Sequence, residues 1–365
     1  MFKGIANLLP SGRRRGSSAG GDSGAASNAV ARVQMILANV LVGGVIALVI
    51  FFSMKSSQFL TWQNVKIIFV NNSAMGILCV AIAMLVIAGY LDMSVGSTAA
   101  LGALICSLAV VNWHMSAWFA IPLALLVGAG VGAINGTLCA MLGLNPFVVT
   151  LGMQGVVRGA VMLIHQNEIF GLGGVFEGIA TDSILGLPIL IWLFIVAFVI
   201  GGVLLTRMPA GRHIYAIGAN RQAAFLSGLR VRWLPFWIFV ATGLLAATTG
   251  ILQAARLNGI TPGQHGLGLE LQVLTVALLG GVSFAGGRGR LFGVFVAFVF
   301  LAVLQDGLVI INASPYVQEV ASGTALVVAA GIDVLGVTLT ARMQSRQRTQ
   351  AQVDAAAVPA GAVAP

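Results

Sequence analysis

The sequence predicts an all-α polytopic membrane protein with about ten transmembrane helices, some of them short or broken. Three observations predict this. Only 8% of the 365 residues are charged, against about 25% in a soluble domain, so lipid rather than water must cover much of the surface. The mean hydropathy is +0.99. Apolar runs near the length that crosses a bilayer, about 20 residues, follow one another with mostly short loops between them. The 47 glycines suit helices that approach closely in lipid.

The elements follow in chain order. Residues 1–33 are rich in Gly, Ser and Arg, with Arg13, Arg14 and Arg15 together, and read as a disordered cytoplasmic tail. The first span is Gln34–Phe52. Its apolar run from Met35 is too long for a typical secretory leader and lacks an A-x-A-like exit. Val65–Ala88 stops at Gly89, and Gly96–Val111 starts soon after, which marks a helix break. Ala117–Met141 and Pro146–His165 complete the first half. A long acidic connection, Gln166 to Leu187, leads to Pro188–Thr206. A second long connection, Arg207 to Trp233, is basic and carries Ala223, Leu226 and Leu229 at helical spacing, with Gly228 as a cap. Too short to span, this amphipathic segment is expected to lie on the membrane face with an apolar stripe to offer. Leu234–Ala255, Leu269–Ser283, Leu291–Ile311 and Tyr316–Leu335 complete the series, so residues 34–338 form one transmembrane domain. Residues 339–365 read as a second disordered cytoplasmic tail.

Charge sets the orientation. With the N-terminus inside and an even number of spans, the cytoplasmic side holds Lys3, Arg13, Arg14, Arg15, Arg32, Arg207, Arg212, Arg221, Arg230, Arg232, Arg288, Arg290, Arg342, Arg346 and Arg348. Lys55, Lys66, Arg158 and Arg256 remain outside, with the loop acids Glu168, Glu177 and Asp182. Basic residues in short loops on one side set membrane orientation, so the net charge of +9 does not imply nucleic acid. Cys79, Cys106 and Cys139 all lie in apolar stretches and read as small buried hydrophobes, not metal ligands or disulfides.

Several chemistries find no footing. No G-x-x-x-x-G-K-[ST] or H-E-x-x-H occurs. His114, His165, His213 and His265 lie far apart at helix ends or in loops. No acid pair, and no Ser with a partner, stands at a spacing that suits an intramembrane protease.

Three stretches remain. Gly89–Ser97 reads GYLDMSVGS, where Ser94, Gly96 and Ser97 suit the start of a new helix and its dipole favours Asp92. Asp92 reads either as a structural cap or as part of a break lining a path. Gly211–Val231 reads GRHIYAIGANRQAAFLSGLRV, a short helix framed by glycines and basic residues. Gly280–Gly293 reads GGVSFAGGRGRLFG, whose glycines permit sharp turns. The apolar-helix, glycine-break, apolar-helix pattern of Leu85–Gly102 returns weakly in Leu278–Val296, as in transporters built on interrupted segments.

In this order and spacing the three stretches resemble the permease subunit of bacterial ATP-binding-cassette (ABC) importers of the ribose, xylose and arabinose type, over about residues 35 to 335. GYLDMSVGS resembles GxDLSVGS, and ALLGGVSFAGGRGRLFG resembles VLGGTSLxGGxGxxxG. GRHIYAIGANRQAAFLSGLRV resembles the family's cytoplasmic coupling segment. The resemblance implies a dimer of permeases in the bacterial inner membrane, two ATPase subunits carrying the ATP and Mg, and an extracytoplasmic sugar-binding protein. No cofactor and no catalysis would then reside on this chain. By the same carry-over, Gly211, Arg212, Ala223, Ala224, Leu226 and Gly228 would form the coupling helix that docks in the ATPase. The loops around Glu168–Asp182, Asn258–Gly266 and Asn312–Tyr316 would face the binding protein. Asp92, Ser94, Gln272, Gln305 and Asp306 would line the substrate path. Two departures bear on the ligand: Gln272 stands in ELQVL where the family often has Asp, and Gln305, Asp306, Gly307 and Leu308 replace N-N-G-L. Rhamnose and autoinducer-2-like ligands, or a branched-chain amino acid, are alternative cargoes. An ion-coupled secondary transporter is the other rival, and it would favour mid-membrane acids, whereas Asp92, Arg158, Arg256, Glu270, Asp306 and Glu319 fall mostly near helix ends.

Overall fold

The computed structural model describes residues 41–331. Seven of its helices are long and apolar enough to cross a membrane. In chain order the helices are α1 (Leu41–Lys55), α2 (Trp62–Ile87), α3 (Val95–Ser107), α4 (Ala117–Gly136), α5 (Pro146–Ile164), α6 (Gly174–Thr181), α7 (Ile189–Arg207), α8 (Pro209–Ala219), α9 (Arg221–Leu226), α10 (Trp233–Leu257), α11 (Leu269–Leu279), α12 (Leu291–Ile310) and α13, described over 315–331. π-helical turns at Leu108–Asn112 and Thr137–Met141 extend α3 and α4.

Local chemistry sets several starts. The Thr61 side chain caps α2 at Asn64 N, Ser116 caps α4 at Trp118 N, and Asn145 caps α5 at Phe147 N and Val148 N, with Pro146 in the first turn. Each satisfies a backbone donor that a helix start leaves orphaned.

Seven of the ten sequence-predicted spans correspond to helices within a few residues. The first and last run into residues outside the described range, as do the expected tails at 1–33 and 339–365. The span expected at Leu269–Ser283 is shorter. α11 has 11 residues, about 16 Å at 1.5 Å per residue, which is half of the roughly 30 Å apolar layer. It ends at a turn through Gly280 and Gly281, the latter with φ +81°.

The acidic excursion Gln166–Leu187 is not a bare loop. It holds α6 and two short antiparallel ladders, and β1 (Ile169–Phe170) pairs with β4 (Gly259–Ile260) beyond α10, while β2 (Ser183–Ile184) pairs with β3 (Leu187–Pro188). Asn258, at φ +53°, ends α10, and its carbonyl and side chain accept from Gly171 N and Gly173 N.

α2, α3 and α10 form the centre. The apolar window of α2 is 83% buried, against 17% for α5 and 28% for α4 and α7, so those three present wide faces outward. α10 packs against α4, α3 and α2. The α4–α10 crossing is tight because glycines let the backbones meet. A side chain at Gly132 would run into the Phe239 carbonyl, while the neighbouring Gly130 faces open space.

This contrast is testable. Gly132→Ala is expected to lower the thermal unfolding midpoint in detergent, by the equivalent of about 1–3 kcal/mol of overpacking. Gly130→Ala is expected to leave the midpoint unchanged or raise it, since Ala favours helix by about 1 kcal/mol. Equal midpoints for the two variants contradict the crossing.

Candidate functional site

The three singled-out stretches meet at one place, below the end of α2. The Gly287 amide donates to the Ile87 carbonyl at 2.7 Å, joining the α11–α12 turn to the α2–α3 break. The end of α8 closes over both. A side chain at Gly218 would collide with the Ile87 carbonyl and the Gly287 amide, and one at Gly286 would strike the Gly89 Cα at 2.9 Å and the Gly218 carbonyl at 3.0 Å. Tyr215 of α8 donates its hydroxyl to the Gly289 carbonyl at 2.9 Å. The two halves of the weak internal echo are therefore in direct contact.

α8 and α9 lie on the basic face, and Asn220 separates them. Its extended backbone ends α8, and its side chain accepts from Ala223 N at 2.9 Å to start α9. One short helix was expected from Gly211 to Gly228; there are two, and Leu229 falls beyond the second. Arg212, Ala223, Leu226 and Gly228 are exposed, Leu226 at 79% and its neighbour Phe225 at 64%. Gly211 and Ala224 are buried. A side chain at Gly211 would strike the Leu204 and Leu205 carbonyls, so Gly211 packs α8 against α7 and offers nothing outward. Arg221, the first residue of α9, donates to the Ala140 carbonyl at 3.1 Å and places its guanidinium 5.9 Å from the Tyr90 ring. It joins α9 to the end of α4 and to the α2–α3 break.

Above this junction Asp92, Ser94 and Asn135 form a buried polar cluster. Asp92 Oδ1 accepts from Ser94 N at 2.9 Å and Ser94 Oγ at 2.6 Å, and Asn135 Nδ2 donates to Ser94 Oγ at 2.9 Å. Asp92 thus supplies the turn expected of Ser94, whose own side chain makes no cap bond. Thr150 of α5 accepts from Met93 N at 3.0 Å.

A second polar cluster lies where the starts of α3 and α11 face each other. Gln154 donates to Glu270 Oε1 at 2.7 Å. The other oxygen of Glu270 is buried with no hydrogen-bond partner among the described residues, and a side chain at Gly96 would strike it. Arg158 donates to the His265 carbonyl at 2.8 Å. His265 Nε2 stands 3.1 Å from the Gly250 carbonyl, an acceptor only, so Nε2 carries the proton.

The five path candidates do not converge. Asp306 of α12 is buried and accepts from Asn64 at 3.1 Å, near the start of α2, whereas Asp92 follows its end. The 26 residues of α2 put about 39 Å between those ends. Gln305 reaches Ser322 at 3.5 Å, and Gln272 is half-buried on α11. Asn135, Gln154 and Arg221 were not singled out from sequence. The first two had a signal, a polar side chain inside an apolar run; Arg221 registered only as one more basic loop residue.

The family model described as "Branched-chain amino acid transport system / permease component" matches residues 64–330. The D-allose transport system permease protein of Escherichia coli K12 is 33% identical over 294 residues, 80% of this chain and 89% of that protein. The ribose import permease protein of Haemophilus influenzae is 30% identical over 78% of this chain and 89% of its own length. The autoinducer 2 import system permease protein of Klebsiella pneumoniae is 32% identical over 83% and 87%. No solved structure matches the chain.

His265 gives a pH test. Burial, with Arg158 and Arg256 nearby, pushes its pKa down from 6.5 to about 4. The unfolded chain then binds a proton that the folded chain refuses between those values, so stability falls as pH drops from about 6.5 toward 4 and is flat above. The full loss is about 3 kcal/mol at 1.36 kcal/mol per unit. His265→Gln is expected to flatten this part of the thermal midpoint's pH profile; an unchanged acid slope contradicts the assignment.

Proposed function

This chain belongs to the branched-chain amino acid transport system / permease component family, and from that premise we propose that it is the membrane permease subunit of an ABC importer that carries a monosaccharide into the cytoplasm. Its similarity to allose and ribose permeases over about four fifths of its length supports sugar over amino-acid cargo. It is a multi-pass inner-membrane protein, and its partners are an ATPase subunit and an extracytoplasmic binding protein.

The finer reading rests on one observation, the meeting of the α2–α3 break, the α11–α12 turn and the α8–α9 pair. A chain with no motor of its own needs a rigid contact through which partner motion reaches its transmembrane helices. In this reading the basic face is cytoplasmic, as are both termini, and α1, α13 and the half-length α11 complete ten membrane segments. Phe225 and Leu226 form the knob that enters the ATPase, with Arg212, Ala223 and Gly228 around it. Gly211 and Ala224 hold the helices that present the knob. ATP and Mg belong to the ATPase. The excursion pinned by the β1–β4 ladder, with Asn258–Gly266 and Asn312–Tyr316, receives the binding protein.

A second copy of this chain fits the outward face of α5, where Gly152, Gly155 and Gly159 face open space. Small residues at such spacing let helices approach in lipid. A neutral, hydrated sugar needs hydrogen-bonding groups that hold it weakly enough for release. Asp92 and Ser94 supply them toward the inner end, Gln272 between, and Gln305 and Asp306 toward the outer. High affinity resides in the binding protein.

Vesicles carrying this chain with its ATPase and binding protein test the reading. Uptake is expected with ATP inside and no ion gradient. Phe225→Asp with Leu226→Asp is expected to cut uptake at least about tenfold, the effect of roughly 1.4 kcal/mol of lost docking, with membrane levels unchanged because both side chains are exposed. Uptake without nucleotide, or normal uptake by the double variant, overturns it.

A further inference from the structure

A groove of about 700 Å³ opens on the basic face between α7, the start of α12 and Tyr215 of α8. Its walls are apolar, formed by Phe198, Val199, Val203 and Phe292, and its mouth carries Arg207 and Arg290. Arg207 is the last residue of α7 and Arg290 immediately precedes α12, so the mouth lies where two apolar helices leave the membrane and the walls lie at acyl-chain depth. Both arginines are exposed, and neither has an ion-pair partner among the described residues. The chain has no Asp or Glu between Asp182 and Glu270, nor between Glu270 and Asp306. No acidic side chain among the described residues neutralises them, so both are open to an anionic ligand. The bond from Tyr215 to the Gly289 carbonyl fixes the backbone beside Arg290. Gly202 leaves the floor open, since a Cβ there would find its nearest neighbour, Leu291 Cδ2, at 4.0 Å.

We propose that this groove holds one anionic phospholipid, its phosphate between Arg207 and Arg290 and an acyl chain along Phe198, Val199, Val203 and Phe292. A soluble acidic partner would meet the arginines but would leave the apolar walls bare. A basic mouth above an apolar wall at the membrane boundary matches an anionic lipid on both counts. The proposal needs only the membrane placement and does not depend on the cargo or the ATPase.

Native mass spectrometry of the full-length chain tests it, with phosphatidylglycerol and phosphatidylcholine of the same acyl chains. The wild type is expected to retain one phosphatidylglycerol about thirtyfold better than phosphatidylcholine, from about fivefold for each arginine. Arg207→Gln with Arg290→Gln is expected to bring the two lipids to parity, while Arg207→Lys with Arg290→Lys keeps most of the preference. Gly202→Leu, which fills the floor and leaves the charge untouched, is expected to weaken retention of both lipids. Equal retention by the wild type, an unchanged preference in the glutamine pair or undiminished binding by Gly202→Leu overturns the proposal. So does glycerol phosphate competing as well as the intact lipid, because the site then takes a free phosphate.

Discussion

The 2.7 Å hydrogen bond from the Gly287 amide to the Ile87 carbonyl joins two interruptions in the helical core, and much of the architecture follows from the need for such a bond. Ile87 is fully buried, so backbone groups freed where its helix stops find no water. An interrupted segment buried in this way survives only if another element supplies the missing partner. Here the α2–α3 break and the α11–α12 turn supply each other, and the end of α8 closes over both. Side chains would hold these backbones apart, so glycine occupies positions 89, 218, 286 and 287. Some of them, such as Gly89 and Gly286, also adopt a left-handed conformation that other residues rarely take.

The spans were legible because transfer to lipid depends on composition averaged over a window, and α2, α4, α5, α7, α10 and α12 each fill such a window. α11 was read four residues too long. Apolarity continues through Val282 and Phe284, but the backbone turns at Gly281, and hydropathy does not register a turn. α8 was read as part of one short surface helix with α9, not as a packed helix of its own. Arg212, His213 and Tyr215 dilute its apolar content, while its packing depends on Gly211, Ile214 and Ile217, which are buried against the body of the protein. The Gln166–Leu187 excursion was read for its acids alone, and its ladder to Gly259–Ile260 depends on a partner about ninety residues away.

At the site, glycine runs and an acid at a helix break marked three stretches that the fold brings together. Individual roles were less legible. Asp92, not Ser94, supplies the turn at the start of α3, because the side chain two residues back reaches the free amide. Gly211 looked like part of a surface knob and is instead a packing residue, a distinction that depends on where the Leu204 and Leu205 carbonyls lie. Asn135 and Gln154 became meaningful only when folding placed them beside Ser94 and Glu270. Asp92 and Asp306 resembled one another as acids near helix ends, yet they sit by opposite ends of α2.

α10 has a mechanical consequence. Its 25 residues run without interruption from Trp233, just past α9, to Leu257, one residue before the Asn258 bonds that pin the Gln166–Leu187 excursion. A helix of this length is a stiff rod of about 37 Å, and it resists compression far better than a loop does. A push on one end must therefore arrive at the other as a shift or a tilt, which makes α10 a lever whose two arms lie on opposite sides of the bilayer.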